Sequence, residues 1–455
     1  SMIRYILSSV ICFVGIFLLL PAATAGIYQE KEGFLYLIIG LACMLIGFWG
    51  RRRKPKSSVF YSKEGFAAVA LSWIILSLIG ALPMYLTGEF PSYIDALFET
   101  ISGFTTTGSS ILSDVETLSR GTAFWRCFTH WIGGMGVLVF IMAVMPLSDS
   151  SSMHLMRAES PGPSVGKLVP KVKTTAMILY GIYVVFTVIE IIALLIAGMP
   201  LFDSMTLTFG TVGTGGFGLL NSSIASYSTA VQIIITVFMI ICSINFTVYY
   251  MFLIKRPKEA LMCEEMRYYL LIVFGSALLI AFNIRASFAS FGKAFQQAIF
   301  QVASVISTTG FATADFNLWP EFSRMILVLL MFVGACAGST GGGFKVSRLI
   351  IMVKSVRNEI MSVTHPRSVQ KVHMDGRRIP DNVVKTVLCY LAGYVVILIV
   401  SVLLISLDNF DMTTNFTAVM ATFNNVGPGL NRVGPTGNFG GFSVLSKLVL
   451  MFDML

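Results

Sequence analysis

Four short motifs in this chain each end a threonine- or asparagine-bearing turn with glycine. They are Thr105-Thr-Thr-Gly-Ser109, Gly213-Thr-Gly-Gly-Phe217, Ser307-Thr-Thr-Gly-Phe311 and Asn424-Asn-Val-Gly-Pro-Gly429. What such a turn offers chemically is its backbone carbonyl oxygens. Glycine reaches positive φ without a Cβ clash, so adjacent carbonyls can aim at a common axis. A ring of carbonyls replaces the water around a dehydrated cation such as potassium. The candidate cation-binding residues are therefore Thr106, Thr107 and Gly108, then Thr214, Gly215 and Gly216, then Thr308, Thr309 and Gly310, and last Asn425, Val426 and Gly427.

A fifth motif runs from Gly334 to Lys345 and interrupts an apolar stretch at 321–357. Its five glycines, with Ser339 and Thr340, break a helix at membrane depth, which is tolerated only inside a protein cavity. A phosphate-binding loop would need Gly-Lys-Ser/Thr together, but Phe344 separates Gly343 from Lys345 and no strand precedes it. A packing kink and a mobile element both fit these residues.

The elements that must carry these motifs are membrane helices. The chain has 455 residues, 55% hydrophobic and 12% charged, with a mean hydropathy of +0.80. That composition excludes a soluble enzyme, a disordered chain and a secreted disulfide scaffold. Seven scattered cysteines without a Cys-x-x-Cys pair read as small buried hydrophobes. Apolar segments recur at about 3–24, 34–50, 65–86, 123–147, 174–199, 228–254, 268–288, 321–357 and 383–407, each near the ~20 residues that cross a bilayer. The first also resembles a secretory signal, with Ala23-Thr-Ala25 as a cleavage site, but a second apolar run follows closely and favours a retained helix. The last opens near 442 and offers only about 21 Å of helix, so the chain is expected to continue past Leu455.

Ahead of each of the four glycine turns lies a segment of about a dozen residues, some 18 Å of helix, beginning near Asp95, Asp203, Gln297 and Thr414. Each is too short to span and must enter and return on one side. Gly108, Gly216, Gly310 and Gly427 are 108, 94 and 117 residues apart, a long internal repeat of helix, short segment, helix. One such stretch would fit close helix packing; four copies in the same setting point to a ring around a pore. Half-helices ending at that ring would add partial negative charge from their C-termini. The expected fold is an all-α polytopic membrane protein. A two-helix region at 1–64 precedes repeats at 65–173, 174–267, 268–380 (with the intramembrane loop 334–345) and 381–455.

Basic residues set the orientation. Arg4 and the stretches 51–63, 157–173, 255–267 and 345–385 hold 24 of the 32 Lys and Arg, which places them and the N-terminus on the cytoplasmic side. Arg51 to Lys56 could touch anionic headgroups. His365 and His373 read as solvated. His130 reads as a packed helix-interface residue, and Glu190 as a lone structural acid within a helix.

These motifs, with Trp131-Ile-Gly-Gly-Met-Gly136 and Gly338-Ser-Thr-Gly-Gly-Gly343, resemble the Trk/Ktr/HKT potassium-transporter superfamily from about residue 65 onward. The two preceding helices suggest its TrkH branch. Two departures stand out: Gly215 occupies a place where the first and third loops have Thr, and the last helix stops short of a basic residue usual in the family. The resemblance implies potassium uptake through a gated, channel-like pore in the bacterial inner membrane, with the four loops as selectivity filter. It further implies a homodimer with one pore per protomer, and a cytoplasmic TrkA-type regulatory ring that binds nucleotides. Potassium is then the permeant ligand, and the chain itself needs no organic cofactor. Gly338, Ser339, Thr340, Gly341, Gly342, Gly343 and Lys345 would form a gate beneath the filter, with Lys345 near the permeation path. Two rivals remain. An ion-coupled secondary transporter would show inverted repeats and paired intramembrane acids, and a membrane enzyme would need a cluster of His, Cys or carboxylates.

Overall fold

The computed structural model describes residues 2–52, 62–136, 172–365 and 370–455. The end of the 123–147 segment, most of the basic stretch 51–63 and residues 157–171 fall outside the described residues.

The chain opens with an antiparallel helix pair, α1 (Met2–Ile27) and α2 (Gly33–Arg51). Small residues let the two backbones approach closely: a Cβ on Gly15 would lie 2.6 Å from the Gly40 carbonyl oxygen. α1 buries Ile6, Val10, Val14 and Leu18 against the rest of the protein and packs on α3 (Ser62–Leu86) and α5 (Arg120–Gly134).

Four units of long helix, short helix and second helix follow. The first is α3, α4 (Tyr93–Phe104) and α5. The second is α6 (Val172–Ile196), α7 (Leu201–Val212) and the pair α8 (Thr229–Cys242) and α9 (Phe246–Leu253). After the short α10 (Pro257–Leu261), the third is α11 (Glu264–Ile284), α12 (Phe291–Ile306) and the pair α13 (Glu321–Val333) and α14 (Val346–Thr364). The hairpin β1 (His373–Met374) and β2 (Arg377–Arg378) leads to the fourth: α15 (Asp381–Ile405), α16 (Met412–Phe423) and α17 (Val444–Met454).

Local sequence accounts for where the short helices start. Ser92 and Ser290 cap α4 and α12, each accepting the amide three residues on, and Asp411 does the same for α16. The Thr414 hydroxyl and amide and the Asn431 side chain hold the Asp411 carboxyl below its ordinary range. Serine also caps the helices that leave the first, second and fourth turns, at Ser119, Ser228 and Ser443.

Among the described residues six helices are long and apolar enough to cross a membrane: α1, α2 and the first helix of every unit. Their outward faces, such as Val395, Val396, Ile399, Val400 and Leu403 of α15, are apolar and exposed, as a lipid contact requires. The second helices behave differently. The 228–254 segment, read from hydropathy as one continuous run, is two helices bent by 89° at Ser243–Asn245. The reason is that another part of the chain takes over the freed backbone groups there. Cys336 N–H donates to the Ser243 carbonyl at 3.0 Å, the Thr340 hydroxyl to the Cys242 carbonyl at 3.2 Å, and Phe246 N–H to the Gly338 carbonyl at 3.0 Å.

The units close on one another. α5 packs on α7, α8 on α12, α13 on α16, and α17 returns to α4. A buried ion pair seals the last of these joints, with Lys447 Nζ 2.6 Å from Asp95 Oδ1.

Candidate functional site: a four-loop ring and the lobe beneath it

All four short helices end in the same turn. The residue after the cap is left-handed: Thr106 (φ 56°), Thr214 (55°), Thr308 (58°) and Asn425 (55°). Two residues on, the glycine is also at positive φ: Gly108 (79°), Gly216 (79°), Gly310 (87°) and Gly427 (99°). Hydrogen bonds repeat with the angles. Thr107 N–H donates to Ser102 O, Gly215 to Gly210, Thr309 to Ser304 and Val426 to Ala421, all between 2.8 and 2.9 Å. This is a Schellman-type cap, which satisfies the last helical carbonyls and turns the chain sharply.

The four turns meet in a closed cycle. A Cβ on Gly108 would lie 2.0 Å from the Gly215 carbonyl oxygen, one on Gly216 1.8 Å from Thr309 O, one on Gly310 2.4 Å from Val426 O, and one on Gly427 2.9 Å from Thr107 O. Each signature glycine therefore faces the carbonyl that precedes the signature glycine of the next loop, and the fourth returns to the first. No side chain fits at these places, and the negative ends of four helix dipoles converge on them.

The ring is braced from behind. Glu99 Oε1 accepts from Arg126 Nε at 2.5 Å and from the Ser110 hydroxyl at 2.8 Å, while its Oε2 accepts Ile111 N–H at 3.0 Å. Arg126 also donates to Gly218 O at 3.0 Å and lies 3.6 Å over the Phe217 ring, which ties the first loop to the second. Asn425 Nδ2 donates to the Thr107 hydroxyl at 2.8 Å and to Met454 O at 3.1 Å, and the Ser109 hydroxyl donates to Gly427 O at 2.9 Å. His130 is fully buried between loops one and two.

Cavities lie on either side. One of about 160 Å³ is lined by Gly108, Gly216, Gly310 and Gly427 together with Arg126 and loop residues such as Ser109 and Asn438. The other, about 800 Å³, is lined by Thr105, Thr106, Phe423 and Asp453 and by Gly338 to Gly342.

Residues 334–345 form a lobe on the wall of the larger cavity. Gly334 (φ 69°) and Gly343 (φ 80°) meet back to back at its neck, where a Cβ on either would come within 2.7 Å of the other's Cα. The tip lies against the ring. Gly342 N–H donates to the Thr308 hydroxyl at 2.6 Å, and a Cβ on Gly341 would stand 2.7 Å from Ser307 O. Glu265 at the start of α11 holds both arms, accepting Ala337 N–H at 2.8 Å and Ser347 N–H at 3.0 Å on one oxygen.

The twelve residues singled out in the four turns lie together in one ring. Gly338, Ser339, Thr340, Gly341 and Gly342 line the larger cavity, and Gly343 forms the neck. Lys345 is buried, and its ammonium donates to the carbonyl of Gly341, one of the residues lining the larger cavity. Glu190 is buried in α6 near Thr211 and Cys242. Among the described residues no group of three or more His, Cys, Asp or Glu is placed to hold a metal ion. Sequence reasoning missed Glu99, Arg126, Glu265 and Lys447. Their one visible signal is that charged residues are scarce in apolar stretches and, once buried there, must be paired.

A family model described as cation transport protein, TrkH, matches residues 36–455. The chain is 34% identical over 458 residues to the Trk system potassium uptake protein TrkH of Salmonella typhimurium, a match covering 98% of this chain and 93% of that protein. It is 31% identical over 441 residues to the Trk system potassium uptake protein TrkG of Escherichia coli, covering 96% and 90%. Among solved structures, the crystal structure of the potassium transporter TrkH from Vibrio parahaemolyticus superposes with a TM-score of 0.89 at 30% identity. That match covers all of this chain and 96% of that one.

Proposed function

The chain is a multi-pass membrane protein that belongs to the TrkH family of cation transport proteins, and we propose that it takes up potassium through a gated, channel-like pore. The observation that carries this reading is the closed cycle of glycine-to-carbonyl approaches, because it brings four equivalent carbonyls together with no side chain between them. Such a ring can take the place of a potassium ion's hydration shell. Thr106 to Gly108, Thr214 to Gly216, Thr308 to Gly310 and Asn425 to Gly427 then form the selectivity filter. Potassium is the substrate that passes it.

The lobe at 334–345 acts as the gate. It touches the ring from the side of the larger cavity, and its glycine content leaves a small free-energy gap between seated and displaced forms. Lys345 restrains the lobe through Gly341.

The protein works as a homodimer in the bacterial inner membrane with its N-terminus in the cytoplasm, and a TrkA-type nucleotide-binding ring regulates it. The docking face for that ring is the basic end. Lys255, Arg256, Lys258, Arg377 and Arg378 are exposed there, and reciprocal bonds between Glu264 and Asp375 join the two segments. Charge reversal at Arg377 and Arg378 should weaken co-purification with the ring and leave the dimer intact.

The test of the filter is the ratio of potassium to sodium flux into liposomes. G108S and G310S should lower it. An unchanged ratio in both variants would remove the filter assignment.

A further inference from the structure

Loop two differs from the others in having no side chain at either 213 or 215. In loop one the Thr105 and Thr107 hydroxyls pair at 2.8 Å, and in loop three those of Ser307 and Thr309 pair at 2.7 Å. In loop four Asn424 donates to the Tyr394 hydroxyl at 2.7 Å. These contacts brace each turn just behind the carbonyl that faces its neighbour. Gly213 and Gly215 can make none of them, and with Gly216 and Gly218 beside them this stretch has the freest backbone of the four.

Its brace comes from another helix. His130 Nδ1 lies 2.9 Å from the Gly103 carbonyl oxygen, and Phe217 N–H donates to Nε2 at 3.2 Å. A carbonyl only accepts and an amide N–H only donates, so the ring is neutral with its proton on Nδ1. One imidazole thus joins the last turn of α4 to the residue directly after Gly216. It packs on the Phe217 ring with centroids 4.2 Å apart. It also fills the space that a side chain at 215 would take, since a Cβ there would lie 2.0 Å from Nδ1 and 2.1 Å from Cγ. The Gly215 carbonyl is the one that faces Gly108.

We propose that His130 is a positioning residue for ion discrimination: it fixes the Gly215 carbonyl in the cycle, replacing the hydroxyl pair that braces loops one and three. This rests on the reading of the ring as a selectivity filter. Removing the ring leaves Phe217 N–H without its buried partner and Gly103 O with Thr106 N–H alone, and loop two relaxes to recover the lost bond. One of the four carbonyls then leaves the common geometry on which discrimination depends. The backbone at 215 accepts threonine. Its amide makes the same bond as Thr107 and Thr309, and the three atoms nearest to a Cβ there all belong to the imidazole. A threonine at 215 therefore restores bulk behind the loop once the ring is gone.

The experiment measures potassium and sodium flux into liposomes from the full purified chain, for wild type, H130A, H130A/G215T and G108S. H130A should keep potassium flux but lower the potassium-to-sodium ratio by about fivefold or more, and H130A/G215T should recover to within about twofold of wild type. A folded H130A with the wild-type ratio overturns the proposal, and so does a double variant that shows no recovery. G108S separates the two readings: if it too is unchanged, the filter assignment itself fails. Should H130A not fold, H130L takes its place, because its length fills the site while its side chain can neither donate to the Gly103 carbonyl nor accept from Phe217 N–H. A wild-type ratio in H130L overturns the proposal equally.

Discussion

The ring and the second helices beyond the larger cavity obey opposite rules. In the ring, four segments far apart in sequence adopt one backbone, with the same pair of positive φ values and the same hydrogen bonds. Below it, the second helices of the first three units differ. α5 ends at Gly134 with Gly136 at φ 72°, α8 and α9 bend by 89°, and α13 and α14 are parted by the 334–345 lobe. A site built from equivalent backbone carbonyls demands repetition, because a single deviant unit spoils the set. A gate of the kind proposed needs to exist once. Among the described residues the third unit alone carries such a lobe, and the bend in the second unit supplies carbonyls that seat it.

The largest effect should come from breaking the repetition where it is tightest. The approach distances rank the four glycines: Gly216 at 1.8 Å, Gly108 at 2.0 Å, Gly310 at 2.4 Å and Gly427 at 2.9 Å. Serine at Gly216 combines a left-handed backbone with a clash against a carbonyl, a sum of roughly 3 kcal/mol or more. G216S should therefore yield the least folded protein and G427S the most. Thermal stability of the four variants in detergent checks the order, and a G427S as damaging as G216S would refute the idea of a graded, closed cycle.

Next is the lobe. Shortening Ala337–Gly342 should raise potassium flux in liposomes without the regulatory partner, while the potassium-to-sodium ratio stays at its wild-type value. If the shortened protein is folded and dimeric yet conducts no faster, the lobe is a structural kink.

Glu265 sharpens the contrast from a distance, since it touches the lobe's arms and not the ring. E265A removes the acceptor of two amides, and at about 1.5 kcal/mol per bond to a charged group this shifts the lobe toward displacement by roughly a hundredfold. E265Q keeps an acceptor oxygen and should do less. Partner-independent flux is the readout. The smallest change is expected for K345A, which loses one bond to Gly341 within the lobe. Its flux should exceed that of wild type but fall short of E265A.

The fold was legible because its requirements are written in residue types. Six spans announce themselves by apolar length, and the turns by glycine, where backbone geometry excludes every other side chain. The left-handed partners of those glycines were not legible. Thr106, Thr214 and Thr308 hold φ near +55° although threonine is β-branched and rarely does so, and only the surrounding ring imposes it. The bend at Ser243–Asn245 escaped because two polar residues barely alter a hydropathy window. What bends the chain there is the lobe, nearly a hundred residues further on. Glu265 looks in sequence like an acid complementing a helix N-terminus. Its hold on Ala337 and Ser347 appears only in three dimensions. Gly215 looked like a departure from the threonine pattern, and His130 occupies the space that explains it.

The ion pair between Lys447 and Asp95 has a consequence for how the protein is made. Its partners are 352 residues apart, and a ribosome adding about 5–20 residues per second takes roughly 20–70 seconds to travel from one to the other. Throughout that interval Asp95 stands in the nascent chain without its cation, and the place of Gly427 against Thr107 is empty. The first loop to be synthesised is thus completed by the fourth unit, through Gly427 and α17. A partly translated chain has three sides of the ring, so the cycle of glycine-to-carbonyl approaches cannot close until the fourth unit has been made.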